Sequence, residues 1–176
     1  MAKTAAAAAV ALFSAALFLL ISSSAVVVDA EDKMFVEGKV YCDPCRVEFP
    51  TKISTMIAGA RVNLQCLCRD NNTVTYMVEG DTDKTGTYRL PVTGDHEEDI
   101  CQVKLLRSPM DNCKEKFHFI DRARVLLTDN MGVVQPTRYA NPIGYMTSTT
   151  DPRCEKLMEE MGITLEEAQT KIPDKI

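Results

Sequence analysis

Two closely spaced cysteines are the first residues of this sequence whose spacing could support chemistry. Cys42 and Cys45 form a Cys-x-x-Cys pair within the segment GKVYCDPCR. In thiol redox enzymes such a pair opens a helix after a strand, and the helix N-terminus lowers the pKa of the first thiol. Here the surrounding residues favour β-structure, and five further cysteines are available as partners. We therefore expect the two sulfurs to reach different partners, and thiol–disulfide exchange at Cys42 and Cys45 is the alternative.

A metal site is the second chemistry that the residue types allow. Zinc ribbons usually carry two Cys-x-x-Cys pairs, whereas this sequence has one. The acidic segment GDHEED, with Asp95, Glu97, Glu98 and Asp99 around His96, lacks the alternating oxygen ligands and turn glycine of a calcium loop. We expect a solvated loop there, and neither a metal nor a cofactor. The donors from which a zinc site could be assembled on paper are Cys42, Cys45, Cys66, Cys68, His96 and His118.

Motifs of the common hydrolases and nucleotide-binding enzymes are missing from the sequence. It contains no Gly-x-Ser-x-Gly, no His-Glu-x-x-His and no phosphate-binding loop. The formal net charge is −5 and there is no basic patch, which argues against nucleic acid and anionic membranes as partners. We therefore expect a protein that is not an enzyme and has no catalytic residues.

The first thirty residues have the layout of a secretory signal peptide. Lys3 supplies one early positive charge, and a long apolar run follows without a charge before Asp29. Val28 and Ala30 place small residues at the −3 and −1 positions, which predicts cleavage after Ala30, and a cut nearer Ala25 is the alternative. We expect residues 31–176 to form a single extracellular domain without a membrane span, because no second long apolar run follows.

All seven cysteines follow this segment, where oxidation to disulfides is favoured. Seven is odd, so at least one thiol is free or pairs with another chain. Six paired cysteines allow 15 connectivities, and spacing alone does not choose among them. The seven are Cys42, Cys45, Cys66, Cys68, Cys101, Cys113 and Cys154.

Short runs with alternating polarity between polar turns predict an all-β domain. In one such run Val62, Leu64, Cys66 and Cys68 share one face of a strand. About six or seven short strands at close spacing are typical of an all-β sandwich or barrel. The predicted strands cover 34–42, 60–68, 73–80, a run through Tyr88 and Leu90, 100–106, 123–130 and, more weakly, 132–140.

The C-terminal segment changes to helical signals. Asp151 is the predicted N-cap of a short helix with Pro152 in its first position, and Gly162 is its predicted stop. Thr164 and Glu167 form a capping-box pattern that predicts a second short helix. Cys154, in the first turn, is well placed to link this tail to the β-domain.

One glycosylation signal is present. Asn71-Asn72-Thr73 is an Asn-x-Thr acceptor in a predicted polar turn between two strands. We predict a glycan on Asn71, which would mark that end of the domain as facing solvent.

The signal peptide, the cysteine ladder and the segment VEGKVYCDPCR together resemble the pollen Ole e 1 allergen and extensin family of small secreted plant proteins. The family motif is carried by Gly38, Val40, Tyr41, Cys42, Asp43 and Cys45. Further matching segments are GARVNLQC, VEGDTDKTGTY, DHEEDIC and NPIGY, so that the resemblance runs from about Phe35 to Gly162.

This resemblance implies a disulfide pattern and a fold. Six cysteines would form the bridges Cys42–Cys113, Cys45–Cys154 and Cys66–Cys101, within an antiparallel β-barrel or sandwich. Cys68 lies outside the six-cysteine pattern and is expected to be a free thiol. Because Cys66 and Cys68 lie two residues apart on one strand face, Cys68 could compete for Cys101, and the Cys66–Cys101 bridge is the least certain of the three.

The resemblance also implies a function without carrying any catalytic residue. Members act in pollen and pollen-tube processes at the cell surface and in the cell wall, and several are allergens. We therefore expect a secreted monomeric glycoprotein that binds a receptor kinase or a wall polymer and is a potential allergen.

Overall fold

The computed structural model describes residues 34–170, which belong to the compact unit Asp32–Ile176. The predicted signal peptide and its cleavage site lie outside the described residues. The strands are β1 (Met34–Asp43), β2 (Thr55–Met56), β3 (Arg61–Cys68), β4 (Val74–Asp81), β5 (Thr87–Val92), β6 (Asp99–Arg107), β7 (Cys113–Lys116), β8 (Arg122–Val125), β9 (Thr137–Tyr139) and β10 (Ile143–Thr147). Two short helices follow, α1 (Cys154–Glu160) and α2 (Leu165–Thr170).

The strands form two open sheets. The long strand β1 organises the first sheet, because β5 and β9 pair with its N-terminal half and β2 and β10 with its C-terminal end. Strand β7 completes this sheet by pairing with β10, and the second sheet has the order β4-β3-β6-β8. The all-β prediction is confirmed, and the sheets form a sandwich that does not close into a barrel. Two of the pairs with β1, those with β9 and β10, are parallel, whereas the prediction was antiparallel.

The predicted alternation matches the burial within the second sheet. Val62, Leu64 and Cys66 of β3 are fully buried, whereas Cys68 at the end of the strand is only half-buried. Burial of such side chains is the main favourable term in folding. The core between the sheets includes Val36, Val40, Leu64, Leu90, Val103 and Ile143.

Three strands were not predicted, and each has a physical reason. Strand β2 has only two residues, and β7 has four with three of them exposed, so neither carries a readable alternation. Strand β10 is buried over four consecutive residues, and a continuous apolar run does not distinguish a strand from a helix.

The C-terminal helices follow the predicted signals with one correction. Helix α1 begins at Cys154, two residues later than predicted, and its N-cap is Arg153 rather than Asp151. The Asp151 carboxylate instead accepts the backbone N–H of Arg153 at 2.9 Å, in the turn before the helix. Gly162, with a φ of +76°, follows the helix end as predicted.

The capping box before α2 is present. The Thr164 hydroxyl accepts the Glu167 N–H at 3.1 Å, and the Glu167 carboxylate accepts the Thr164 N–H at 3.0 Å. These bonds satisfy two backbone donors that the start of a helix leaves without a partner.

Candidate functional site

Three disulfides fix the elements around the end of β1. Cys42 is joined to Cys113, which links β1 to β7, and Cys45 is joined to Cys154 at the start of α1. The third bridge, Cys66–Cys101, links residues directly opposite each other on β3 and β6. This is the same pairing that the family resemblance implied. All six sulfurs are therefore in disulfides, and Cys68 is the free cysteine of the described residues.

The Cys-x-x-Cys pair does not present a thiolate. Cys42 and Cys45 are 3% and 0% exposed, and each is bonded to a distant partner instead of to the other. Thiol–disulfide exchange requires an accessible low-pKa thiol, and neither sulfur meets that requirement. The redox alternative therefore finds no support in the geometry at this position.

The candidate zinc donors are dispersed. Cys66, Cys101 and His96 place their ligand atoms within 4.8 Å of one another, but the two sulfurs are bonded to each other and only His96 offers a lone pair suited to zinc. The Nδ1 of His96 lies 2.9 Å from an Asp99 carboxylate oxygen. His118 lies elsewhere, beside Glu48.

Three acids of the acidic segment, Asp95, Glu97 and Glu98, are exposed in the loop between β5 and β6. Asp99 is the first residue of β6 and accepts hydrogen bonds from the Thr75 hydroxyl at 2.6 Å and from His96. The bond from Thr75 has the larger effect and the bond from His96 the smaller, and together they hold the pKa of Asp99 below its ordinary value. The Glu97 N–H donates to Asp95 and lowers the pKa of that carboxyl. Local donors thus occupy these carboxylates.

The packing around β1 explains why the family-motif positions on this strand carry a glycine, a valine and a tyrosine. Gly38 lies opposite Tyr88, and a Cβ at this position would lie 2.6 Å from Tyr88 Cζ. Val40 is fully buried in the core, and Tyr41 packs edge-to-face on Phe117 with ring centroids 5.7 Å apart. Burial raises the pKa of Tyr41 above its ordinary value.

Asp43 organises the loop that follows β1. The buried carboxylate accepts the N–H groups of Cys45 and Arg46 on Oδ1, at 2.9 and 3.0 Å. It accepts those of Val47 and Glu48 on Oδ2, at 2.7 and 2.8 Å. Burial raises the pKa of Asp43, and these four donors oppose part of the rise. The chain wraps around one side chain, and Arg46 and Glu48 adopt the left-handed region with φ of 59° and 60°.

This loop forms one wall of an open depression, here called the apolar groove. The other walls are the segment 118–120 and the residues around α2, and the volume is about 640 Å³. Phe119 and Ile120 are 54% and 47% exposed, so apolar surface remains open to solvent. The apolar lining consists of Val47, Phe49, Phe119, Ile120, Met146, Ile163 and Ala168.

Charged pairs tie the walls of the apolar groove together. The Arg46 guanidinium binds both carboxylate oxygens of Glu115, at 2.6 and 2.7 Å, and also donates to the Thr147 carbonyl. This pairing lowers the pKa of Glu115. The Glu48 carboxylate accepts the backbone N–H groups of His118 and Phe119, at 2.7 and 3.1 Å.

On the opposite side, the Gln169 amide of α2 donates to the Cys45 carbonyl at 2.9 Å. The groove therefore brings together residues more than 100 positions apart in the chain. Its open apolar surface and internally paired charges are suited to binding an apolar group. Sequence reasoning missed this site, although the run FHFI at 117–120 was an available signal.

The predicted glycosylation acceptor lies at the far end of β3. Asn71 is exposed in the turn between β3 and β4, and its side-chain oxygen accepts the Thr73 N–H at 3.0 Å and hydroxyl at 2.7 Å. Within residues 34–170, no helix has both the length and the hydropathy needed to cross a membrane.

Comparisons with known proteins show what the chain resembles. The sequence model of a family described as "Pollen protein Ole e 1 like" matches residues 32–162. An Olee1-like protein of Betula pendula is 47% identical over 137 residues, which cover 76% of this chain and 82% of that protein. The anther-specific protein LAT52 of Solanum lycopersicum is 45% identical over 128 residues, covering 73% and 80%.

A solved structure has the same architecture. The crystal structure of the major plantain pollen allergen Pla l 1 superposes with a TM-score of 0.64 at 35% sequence identity. The match covers 69% of this chain and 99% of the allergen chain.

Proposed function

This chain belongs to the pollen Ole e 1-like protein family, and from that premise we propose that it is a secreted, non-enzymatic interaction protein of pollen or the pollen tube. Its relatives include proteins named as pollen-specific and as pollen allergens, which supports a role in pollen and potential allergenicity. Three disulfides are consistent with an oxidising, extracellular setting.

The apolar groove is the observation that carries the proposal. Phe119 and Ile120 present adjacent exposed apolar side chains, a composition typical of protein interaction sites. Glu48 lines the groove and Glu115 binds the lining residue Arg46, so these three side chains sum to a formal charge of −1. We propose that the partner is a protein, the extracellular domain of a membrane receptor. It would insert an apolar side chain and place a cationic one nearby.

A wall polymer fits the groove less well. Polysaccharides are held by many hydrogen bonds from free polar groups, but the polar groups at this groove bind one another. The groove also lacks tryptophan, since the whole sequence contains none. We therefore expect a protein partner, and the assay below includes wall polysaccharides as the competing ligand.

The test is a binding assay with the oxidised protein secreted from a eukaryotic host. The immobilised protein is presented with a panel of receptor-kinase ectodomains expressed in pollen and, in parallel, with wall polysaccharides. We expect saturable binding to an ectodomain that Phe119→Asp weakens at least about tenfold, because it places a charge in an apolar contact. Leu126→Asp is the matched control, since Leu126 is 62% exposed and does not line the groove.

Three outcomes would overturn this function. Binding to polysaccharides alone would replace the receptor with a wall polymer. Equal loss in Phe119→Asp and Leu126→Asp would remove the groove from the interaction. Turnover in an insulin-reduction assay would restore the redox alternative at Cys42 and Cys45.

The maturation of the chain is part of the proposal. We propose cleavage after Ala30, a single mature domain from Glu31, a glycan on Asn71 and a monomeric state. N-terminal sequencing of the secreted protein should begin at Glu31. The unaltered protein should lose mass on treatment with a glycosidase, and Asn71→Gln should lack that mass from the start. A different N-terminus, or equal masses for the two proteins, would contradict the corresponding part.

A further inference from the structure

A second cavity lies at the opposite end of the first sheet, beside β9. It has a volume of about 280 Å³ and is here called the Arg138 cavity. Its lining is mixed, with four apolar side chains, two charged residues and one amide. Those lining residues are Met34, Val133, Val134, Pro136, Asp129, Arg138 and Gln135.

Arg138 is a buried cation. It pairs in parallel register with Val36, and both residues point to the interior, since neighbouring residues in register share a sheet face. The residue is 5% exposed, a burial that arginine seldom reaches without a charged partner. An inward-facing guanidinium on an edge strand therefore needs a reason.

The hydrogen bonds of Arg138 leave its charge unneutralised. Nη2 donates to the Thr128 carbonyl at 3.1 Å, and Nη1 donates to the Gln135 carbonyl. Both acceptors are neutral. The Nε–H has no hydrogen-bond partner within the described part of the chain, although it is buried. Leaving such a donor unpaired is costly, because the buried N–H has lost its hydrogen bond to water without gaining another.

Asp129 forms a long ion pair with Arg138 but leaves the Nε–H without an acceptor among the described residues. Its Oδ1 lies 3.7 Å from Arg138 Nη2, beyond hydrogen-bonding distance, and its side chain is 73% exposed. Over residues 34–170, no carboxylate forms a hydrogen bond with the guanidinium. The cavity thus combines a buried cation, an unused N–H donor and several apolar side chains in a mixed lining.

We propose that the Arg138 cavity binds the carboxylate of a small organic acid, whose apolar body packs against Val133, Val134 and Pro136. A carboxylate matches the guanidinium because it can accept two N–H bonds and neutralise the charge. The volume lies at the lower end of ligand pockets, which suits a single ring or a short chain. This site is independent of the apolar groove and of the function proposed for it.

The experiment uses benzoate as the probe, with the mature oxidised protein. Titration is followed by NMR through the Arg138 Nε–H resonance and by isothermal calorimetry. We expect a saturable shift of that resonance with benzoate. Benzamide, which has the same ring without a charge, should bind at least about tenfold more weakly, because it offers no charge-assisted hydrogen bond. Inorganic phosphate tests whether any anion suffices.

Three variants separate the site from stability. Val134 is 99% exposed, so Val134→Asp should leave folding intact while its charge opposes a carboxylate at the cavity, weakening benzoate at least about tenfold. Met77→Asp, at a 59% exposed residue outside the cavity, is the control that should not change affinity. Asp129→Asn should strengthen benzoate, since it removes the competing carboxylate.

Four results would overturn the proposal. They are the absence of a shift with benzoate, equal binding of benzamide, equal binding of phosphate, and equal effects of Val134→Asp and Met77→Asp.

The chain's own acids provide a further test, since Glu31 and Asp32 precede the cavity residue Met34 in the sequence. If benzoate binds only after Glu31→Gln and Asp32→Asn are introduced, these carboxylates occupy the site in the unaltered protein. The assignment of an external ligand is then wrong.

Discussion

Replacing Asp43 by asparagine tests whether one carboxylate builds the loop at the apolar groove. The two side chains have the same shape, so the change alters hydrogen bonding with little effect on packing. Each carboxylate oxygen of Asp43 accepts two backbone N–H groups, whereas an amide has one oxygen and one NH2 group. The NH2 group would face two N–H donors.

The size of the effect follows from which donors are lost. One orientation of the amide leaves Cys45 and Arg46 without an acceptor, and the other leaves Val47 and Glu48. In either orientation one donor belongs to a buried residue and the other to a half-buried one. A buried donor without a partner costs about 1–3 kcal/mol, so we expect Asp43→Asn to lower the free energy of unfolding by about 3 kcal/mol.

The assay is urea denaturation with the disulfides intact, together with backbone NMR spectra of residues 45–49. Asp83→Asn is the matched control, because Asp83 also accepts two nearby backbone N–H groups, those of Thr85 and Thr87, but in an exposed turn and on a single oxygen, Oδ1. We expect a much smaller loss there, since the amide oxygen still accepts both N–H groups and water reaches the turn. A loss below about 1 kcal/mol for Asp43→Asn, or equal losses for both variants, would refute the reasoning.

Three further predictions concern packing, pH dependence and the free thiol. Gly38→Ala should lower the free energy of unfolding by about 1–3 kcal/mol, because the added Cβ meets the Tyr88 ring. In a Tyr88→Phe background, where the nearby hydroxyl is absent, thermal unfolding should show a smaller loss from the same change. An equal loss in both backgrounds would contradict this. The pKa of Asp99 is lowered in the folded state, so its contribution to stability is present above its ordinary pKa and is lost as pH falls through the folded value. Thr75→Val removes the main cause and should raise the Asp99 pKa in a carboxyl NMR titration, with acid unfolding beginning at higher pH; an unchanged titration would contradict the assignment. Cys68→Ser should leave the three disulfides and the melting temperature unchanged in peptide mapping and calorimetry, because Cys68 is half-buried and unbonded; loss of the Cys66–Cys101 bridge would be the opposite result.

The sequence was most informative where the structural signal is local. The alternation in β3 predicted which side chains enter the core, because successive residues of a strand point to opposite faces. Gly162 and the capping box at Thr164 and Glu167 were also readable, since a helix end depends on residues within one turn. The N-cap at Asp151 was wrong because the chain makes a further turn, held by Asp151 itself, before α1 begins.

The arrangement of the strands depended on contacts that no short segment encodes. Strand β10 pairs with β1 in parallel, about 100 residues away, and parallel pairing leaves no local hairpin signal. Whether the sheets close into a barrel is decided by which edges meet, and the edges here stay open. The number of cysteines excluded complete pairing, but their connectivity followed from the family resemblance and not from spacing.

The two candidate sites were decided by tertiary structure alone. Sequence determined that Asp43, Glu48 and Arg138 carry ionisable side chains, and that the chain has the strand pattern of an all-β protein. Only folding places Glu48 against His118, 70 residues away, to form the apolar groove. Only the register of β9 against β1 turns Arg138 inward, beneath the Thr128 carbonyl. A one-residue shift of that register would send the guanidinium to solvent, because strand side chains alternate between faces.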